Sequence, residues 1–468
     1  MADELWRKGA LELAELIASG KVRTMDVVDA HLARMDEVNP HLNAVVRRLD
    51  DTARAAAAAA DAAVADGSPL GPLHGVPFTV KENIDVAGTP TTSGLVMYAE
   101  AIAGLDAPSV ERMRAAGAIP IGRTNLPDLG LRVATESSLH GITKNPWDPG
   151  RTAGGSSGGE GSAIAAGMSP VGFGNDLGGS LRNPAHCCGI ASIKPSTGVV
   201  PAATVIPPED MALTFQLMAV EGVMGRRVAD VRAVLQTVVG PHVRDPLALP
   251  VTLTDRAAGR PLRVAVLADP PGGTTDSGIA DAIRRAADVF ADAGAEVVEA
   301  APQTYERAIE LWGLLLMEDI RAQVPLIDMV MGEAGKTFLG YAMQKFEPLE
   351  LSAFTTLFVE RLAVEKNWHR FLTDHDVLLT PTWAQPAFEH GADIVSYAAA
   401  EATLELMRPV VPANLLGLPA TVVPVGLAGG MPVGAMLTGR RFADLTCLDA
   451  AEVLENALGP LTPVDPKM

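Results

Sequence analysis

The sequence predicts an α/β fold, a single large α/β/α domain, and three observations carry that expectation. Hydrophobic residues make up 48% and charged residues 20%, enough for a large core, while aromatics are only 4% beside 45 glycines and 35 prolines. A core of Ala, Val and Leu with many turns suits stacked helices and strands better than a β-sandwich. Segments of helical period alternate with short apolar runs, the texture of α/β proteins. The 468 residues would allow two or three units, yet no repeat and no clear inter-domain linker divides them.

The elements follow in order. Residues 8–37 place apolar side chains at helical spacing, and Thr24 stands where it would cap a helix at MDVVDAHLARM. The Ala-rich run from Thr52 to Ala65 reads as a helix closed by Asp66-Gly67. PLHGVPFTVKENID contains a buried strand, Val76 to Val80, ending at Lys81; the helix SVERMRAAG and the strand AIPIG come next. From Thr152 to Ser180 the texture becomes TAGGSSGGEGSAIAAGMSPVGFGNDLGGS. A flexible linker would not carry SAIAAGMSPVGFG inside it, so that segment reads as a small-residue helix feeding a buried strand. Its glycines then serve close packing and unusual dihedrals. A second α/β stretch runs through PLRVAVLAD, SGIADAIRRAADVFADAG and AEVVEA. Residues 303–375 read as mostly helical, and VLLTPTW, ATVVPVG and VGAMLTG as closing strands.

Charge and cysteines narrow the function classes. A formal charge of -19 opposes general affinity for nucleic acid, whose phosphates require a basic surface. Cys187, Cys188 and Cys447 are too few for a disulfide framework and are expected to be reduced thiols. The N-terminus lacks a basic segment followed by an apolar run, so it does not read as a signal peptide, and the cytoplasm is the expected compartment. Pro409 to Gly439 is uncharged, but five prolines and six glycines rule it out as one spanning helix.

Around Ser180 the chain reads Gly178-Gly179-Ser180-Leu181-Arg182, without a G-x-S-x-G elbow. GGSSGGEG lacks the GK[ST] ending of a phosphate loop. The nine histidines form no ligand-spaced pair, so neither metal nor cofactor is expected. What remains is a lysine ending an apolar strand and serines in glycine-rich loops. A serine hydroxyl needs a base to become a nucleophile, and a lysine can serve once burial makes it neutral. Taken alone, Lys81 reads as a strand-end lysine reaching solvent, and Ser156 and Ser180 as turn residues.

Together, Lys81, GGSSGG at 154–159 and GNDLGGSLRNP at 174–184 resemble the amidase-signature family in residue type, order and spacing. The intervals are 75 and 24 residues. IGRTNLPD, GITKNPWDPGRTAGGSSGG, CGIASIKPSTGVVP, VPANLLGLPATVVPVG and MPVGAMLTGRRFAD add to the match, which covers roughly residues 8–455 and is strongest from 71 to 201. The resemblance implies one amidase domain over 1–468, with N-terminal helices to 66, a signature core at 71–201 and a variable helical substrate-pocket region at 303–375. It also implies a mixed, mostly parallel central sheet covered by helices.

Roles follow from the same resemblance. Ser180 would attack the carbonyl and form an acyl-enzyme. Ser156, whose peptide is cis in relatives, would relay the proton to Lys81. The N–H groups of Leu177, Gly178, Gly179 and Ser180 would form the oxyanion hole. Ser157 would help hold the relay, Asp176 and Arg182 would form a supporting ion pair, and Gly130 and Asn183 would touch the substrate. Amidotransferase subunits that hydrolyse glutamine carry an acidic residue five positions before the PAN motif, where this chain has Met407. The expected partner is therefore a neutral, apolar small-molecule amide or carbamate, with residues 311–358 lining its pocket. A glutamine-hydrolysing amidotransferase subunit, an inactive scaffold and homodimerisation stay open.

Overall fold

Strands form where β-branched and small apolar residues run between turns, and in the computed structural model thirteen strands, two to nine residues long, pair among the described residues. The structure describes residues 2–254, 256 and 259–467. The strands are β1 (Val45–Arg48), β2 (Pro77–Lys81), β3 (Ile119–Thr124), β4 (Glu136–Ser137), β5 (Gly141–Ile142), β6 (Val171–Asp176) and β7 (Ala191–Lys194). They continue with β8 (Val220–Gly225), β9 (Arg263–Val266), β10 (Glu296–Glu299), β11 (Val377–Pro381), β12 (Ala420–Ala428) and β13 (Met431–Gly439). Strands β4 and β5 form a small separate pair; the other 11 form one sheet in the order β1-β3-β2-β6-β8-β7-β12-β13-β11-β9-β10.

The sheet is mixed, as expected. Its parallel pairs lie in two blocks, β3-β2-β6 and β11-β9-β10. The strands between these blocks, and edge strand β1, pair antiparallel. The expectation of mostly parallel pairing therefore describes the two blocks and not the strands that join them. Successive side chains of each strand enter opposite cores, following the two-residue period. In β11, Val377 and Leu379 join the core built with Val231, Ile283 and Leu448, whereas Leu378 joins the one built with Leu181, Leu311 and Trp368. Helices Val228–Val238, Ser277–Asp292 and Asp444–Leu458 cover the first face; Arg182–Cys188, Tyr305–Arg321 and Leu351–Asp374 cover the second. Burying both faces makes these strands near-continuously apolar.

Most expected elements occur within one or two residues of their expected bounds, including the helix Asp50–Ala65 and the four helices between Tyr305 and Asp374. Thr24 is a correction. It is the first residue of helix Thr24–Leu42 rather than its cap, and its Oγ1 has no partner among the described residues. The orphan amides are capped from elsewhere: the Asp61 carboxylate accepts from Thr24 N at 2.6 Å and Met25 N at 3.2 Å. A remote carboxylate does the work of a local cap because helix starts need acceptors of any origin. The uncharged run from Pro409 folds as the short helix Val411–Leu415 plus β12 and β13. Among the described residues, no helix is long and apolar enough to cross a membrane. The three cysteines are free and buried.

Candidate active site

Strands β2 and β6 run parallel and side by side, so their carboxyl ends reach the same edge of the sheet. Open α/β sheets bind ligands outside the carboxyl ends of their parallel strands; here the parallel block ends at the antiparallel pair β6-β8. Lys81 ends β2 and its side chain is fully buried. Its Nζ lies 2.7 Å from Ser156 Oγ and 2.6 Å from Asn175 Oδ1. Burial pushes this ammonium down to about 7, against the opposing pull of Asp176 and Glu160, because desolvation disfavours the charged form. Glu160 accepts from Thr79 Oγ1 and, at 2.7 Å, from Thr124 Oγ1; burial nevertheless drives its carboxyl up to about 7.

Ser156 precedes the helix Gly158–Ala165, and the Gly155–Ser156 peptide is cis. A Cβ at Gly155 would stand 2.6 Å from the backbone of Val133, so this glycine is needed for close approach. The glycine-rich stretch is thus a packed turn and helix, not a linker. Ser157 joins the two serine loops: its N–H donates to the Ser180 carbonyl at 3.1 Å, and its hydroxyl donates to the Asn175 carbonyl at 3.4 Å.

Ser180 lies in the turn after β6, and among the described residues nothing hydrogen-bonds its hydroxyl. Asp176 ends β6 and folds its carboxylate back over this turn. It accepts from Gly179 N–H at 2.8 Å and Leu181 N–H at 3.0 Å. Arg182 donates to it through Nε at 3.0 Å and Nη2 at 2.9 Å, and Asn414 through Nδ2 at 2.9 Å. Burial pushes this carboxyl up, but the charge and hydrogen bonds of Arg182, aided by Lys194 and Asn414, outweigh it and hold it well below the carboxylate range. Arg182→Met would leave Asp176 buried without its counter-charge, at a cost of about 3–5 kcal/mol. Urea unfolding should show that loss, and an unchanged midpoint would mean that Asn414 and the amides suffice.

The same network sorts the expected oxyanion donors. The N–H groups of Leu177, Gly178 and Ser180 carry no hydrogen bond among the described residues. Gly179 is a correction, since its N–H is already given to Asp176. Asn183 is a second one. It is 1% exposed, donates to the carbonyls of Val133 at 3.2 Å and Gly155 at 3.4 Å, and lines no cavity at the serines. The helix Arg182–Cys188 carries it inward, beneath the Ser156 turn. Gly130 packs beside Ser156: a Cβ there would lie 3.2 Å from Ser156 Oγ.

Two cavities share a wall at Gly130, Leu177 and Ser180. The first is walled by Trp312, Leu316, Phe338, Leu339 and Met407, so part of the helical region 311–358 does border the serine, while residues 352–358 do not. The second reaches Ser156, Asn175, Thr204, Phe215 and Glu221. Asn175, Glu160, Asn414 and Trp312 were not singled out in the sequence. Asn175 in GND, Glu160 in GGEG and Asn414 in PAN are polar residues in small or apolar runs, a signal that could have marked them, but nothing local marks Trp312. Among the described residues, no group of three His, Cys, Asp or Glu is placed to hold a metal ion.

Ser156 and Ser180 thus line one cavity at the sheet edge, with the buried Lys81 amine behind Ser156 Oγ. Residues 26–448 match the profile of the Amidase family, and the chain belongs to that family, whose members hydrolyse amide C–N bonds. It is similar to an indoleacetamide hydrolase of Bradyrhizobium diazoefficiens, 39% identical across 98% of this chain and 88% of the relative. It also resembles a glutamyl-tRNA(Gln) amidotransferase component of Chloroflexus aurantiacus, 31% identical across 94% of each chain. The solved structure of a bacterial aryl acylamidase of the amidase-signature family superposes with a TM-score of 0.84, at 27% identity and 96% coverage of both chains.

Proposed function

We propose that this chain hydrolyses neutral, apolar amides, arylacetamides and anilides foremost and carbamates secondarily, through an acyl-enzyme on Ser180. The observation that carries the reading is the buried Lys81 amine 2.7 Å from Ser156 Oγ, with Ser156 and Ser180 on one cavity. A neutral amine donates one proton to Asn175 and offers its lone pair to the Ser156 hydroxyl. Ser156 then passes its proton to Lys81 while taking the proton of Ser180, whose Oγ bonds to the substrate carbonyl carbon. The carbonyl oxygen becomes an oxyanion facing the N–H groups of Leu177, Gly178 and Ser180, a type of contact worth about 2.7–4 kcal/mol per donor. As the C–N bond breaks, Ser156 returns a proton to the leaving nitrogen and is reprotonated from Lys81. Water then cleaves the acyl ester by the same relay.

The substrate reading rests on the first cavity. Met407, 6% exposed, occupies the place where a glutamine-hydrolysing subunit would hold the substrate amine, and it stands in an apolar wall. Arg132 borders the cavity too, but its guanidinium is taken by Asp393 at 2.7 and 2.8 Å and by Glu136 at 2.6 Å. Placing an unpaired charge against such walls costs several kcal/mol, whereas each buried methylene gains about 0.8 kcal/mol. The name of the indoleacetamide hydrolase relative points the same way. The test is kcat/KM of the purified chain, without partners, for phenylacetyl para-nitroanilide and for glutamine at one pH. The anilide should win by at least about 100-fold, given those energies. Faster glutamine hydrolysis would replace this reading with the amidotransferase one.

A further inference from the structure

We propose that Trp312 is a positioning residue that aims the Gly178 N–H at the oxyanion, an inference that rests on Ser180 being the nucleophile. The argument follows the peptide units of the turn one by one. The Asp176 carbonyl accepts from Asn414 Nδ2 at 3.2 Å. The Gly179 and Leu181 N–H groups are tied to the Asp176 carboxylate. The Gly179 carbonyl accepts from Asn183 N–H at 2.7 Å, and the Ser180 carbonyl from Ser157 N–H at 3.1 Å. The peptide between Leu177 and Gly178 is held by neither the carboxylate nor the neighbouring backbone. Its carbonyl accepts from Trp312 Nε1–H at 3.0 Å.

Because a peptide is planar and trans, its C=O and N–H point in opposite directions, so fixing the Leu177 carbonyl fixes the Gly178 N–H. Accepting a hydrogen bond at the carbonyl also polarises the same amide and strengthens its N–H as a donor. The indole holds the unit by contact as well. A Cβ at Gly178 would lie 2.5 Å from Trp312 Cζ2, so the ring rests on the bare Cα of this residue. Trp312 projects from the helix Tyr305–Arg321, part of which walls the apolar cavity. One side chain therefore links the substrate pocket to the oxyanion turn.

Benzothienylalanine at position 312 keeps the fused ring on Gly178 and removes only the N–H donor. It should lower kcat about tenfold, the value of one hydrogen bond in the transition state. KM should stay within about twofold for both acetyl and phenylacetyl para-nitroanilide, since ground-state binding is untouched. The Ki of an aryl trifluoromethyl ketone, which forms a tetrahedral oxyanion on the nucleophile, should rise by the same factor. A wall residue gives the opposite pattern: KM rises for the phenylacetyl substrate alone, with kcat and the ketone Ki unchanged, and that result would overturn the proposal. Trp312→Phe, which loses the outer ring along with the donor, is run beside the benzothienylalanine variant and should show at least the same loss of kcat and rise in ketone Ki. Ser180→Ala is run beside them. Activity surviving in Ser180→Ala defeats the nucleophile assignment, whereas an inert Ser180→Ala with unchanged kcat in the benzothienylalanine variant defeats this inference alone.

Discussion

Ser180→Ala is expected to lower turnover of an anilide by about 10,000-fold or more, the scale seen when a serine nucleophile is removed from a relay. No neighbouring hydroxyl can take over. Ser156 is held at Lys81 Nζ, and the Ser157 hydroxyl is turned toward the Asn175 carbonyl. The fold should be intact, because the Ser180 hydroxyl has no hydrogen-bond partner among the described residues to lose. The checks are kcat, the urea midpoint and covalent labelling by a fluorophosphonate, read as a mass increment on the intact chain. Labelling should vanish together with turnover. More than about one per cent residual activity in protein free of contaminating amidase would show that another residue attacks.

Lys81→Met should cost about 1,000-fold or more, on the scale of general-base removal, and should also erase the acid limb of the pH profile. The sign follows from burial. The folded amine titrates near 7 instead of 10.5, and the active form is the neutral one. kcat/KM of the native chain should therefore rise with pH through about 7 and level off above it. Stability carries a matching signature. Between about 7 and 10.5 the unfolded lysine binds a proton that the folded one has released, so folding becomes more favourable as pH rises. Below 7 the burial penalty is present in full. The stability advantage of Lys81→Met over the native chain should thus shrink as pH climbs across that window. An acidic optimum, or a variant that keeps both activity and the limb, would remove lysine from the base role.

The cores of this protein were legible because burial writes itself into local pattern. The Ala-rich helix ending at Asp66-Gly67 shows in its helix propensity and the buried run ending at Lys81 in its apolar residues, and both occur nearly as read. Edge strand β1, whose sequence is VVRR, was not legible. One buried and three half-buried residues carry too short a period, and pairing with β3 is what makes them a strand. Thr24 failed for a related reason. Its spacing suits a cap, but Asp61, from the next helix, reached the same amides first.

At the site the division is similar. Lys81, Ser156 and Ser180 stood out by residue type and spacing, and the structure brings Lys81 onto Ser156 and both serines onto one cavity. The two corrections arose from hydrogen-bond competition and from the direction of a helix, neither of which spacing displays. Gly179 sits among four equivalent-looking amides, yet only the fold shows that its N–H is given to Asp176. Asn183 lies three residues past the nucleophile, and the direction of a helix turns it under the site rather than into it.

The sequence by itself determined the layered α/β class, the chemical kind of the three central side chains and the absence of an acidic residue at position 407. Each of these is a matter of residue identity or local period. Tertiary structure alone decided that Lys81 is buried enough to lose its proton near neutrality, since desolvation depends on every element packed around it. It also decided which backbone amides are free and which side chains stand over them. Trp312, 132 residues beyond Ser180, reaches the oxyanion turn only because the helix Tyr305–Arg321 packs across it. Such contacts follow from how helices and sheet stack, and no local spacing records them.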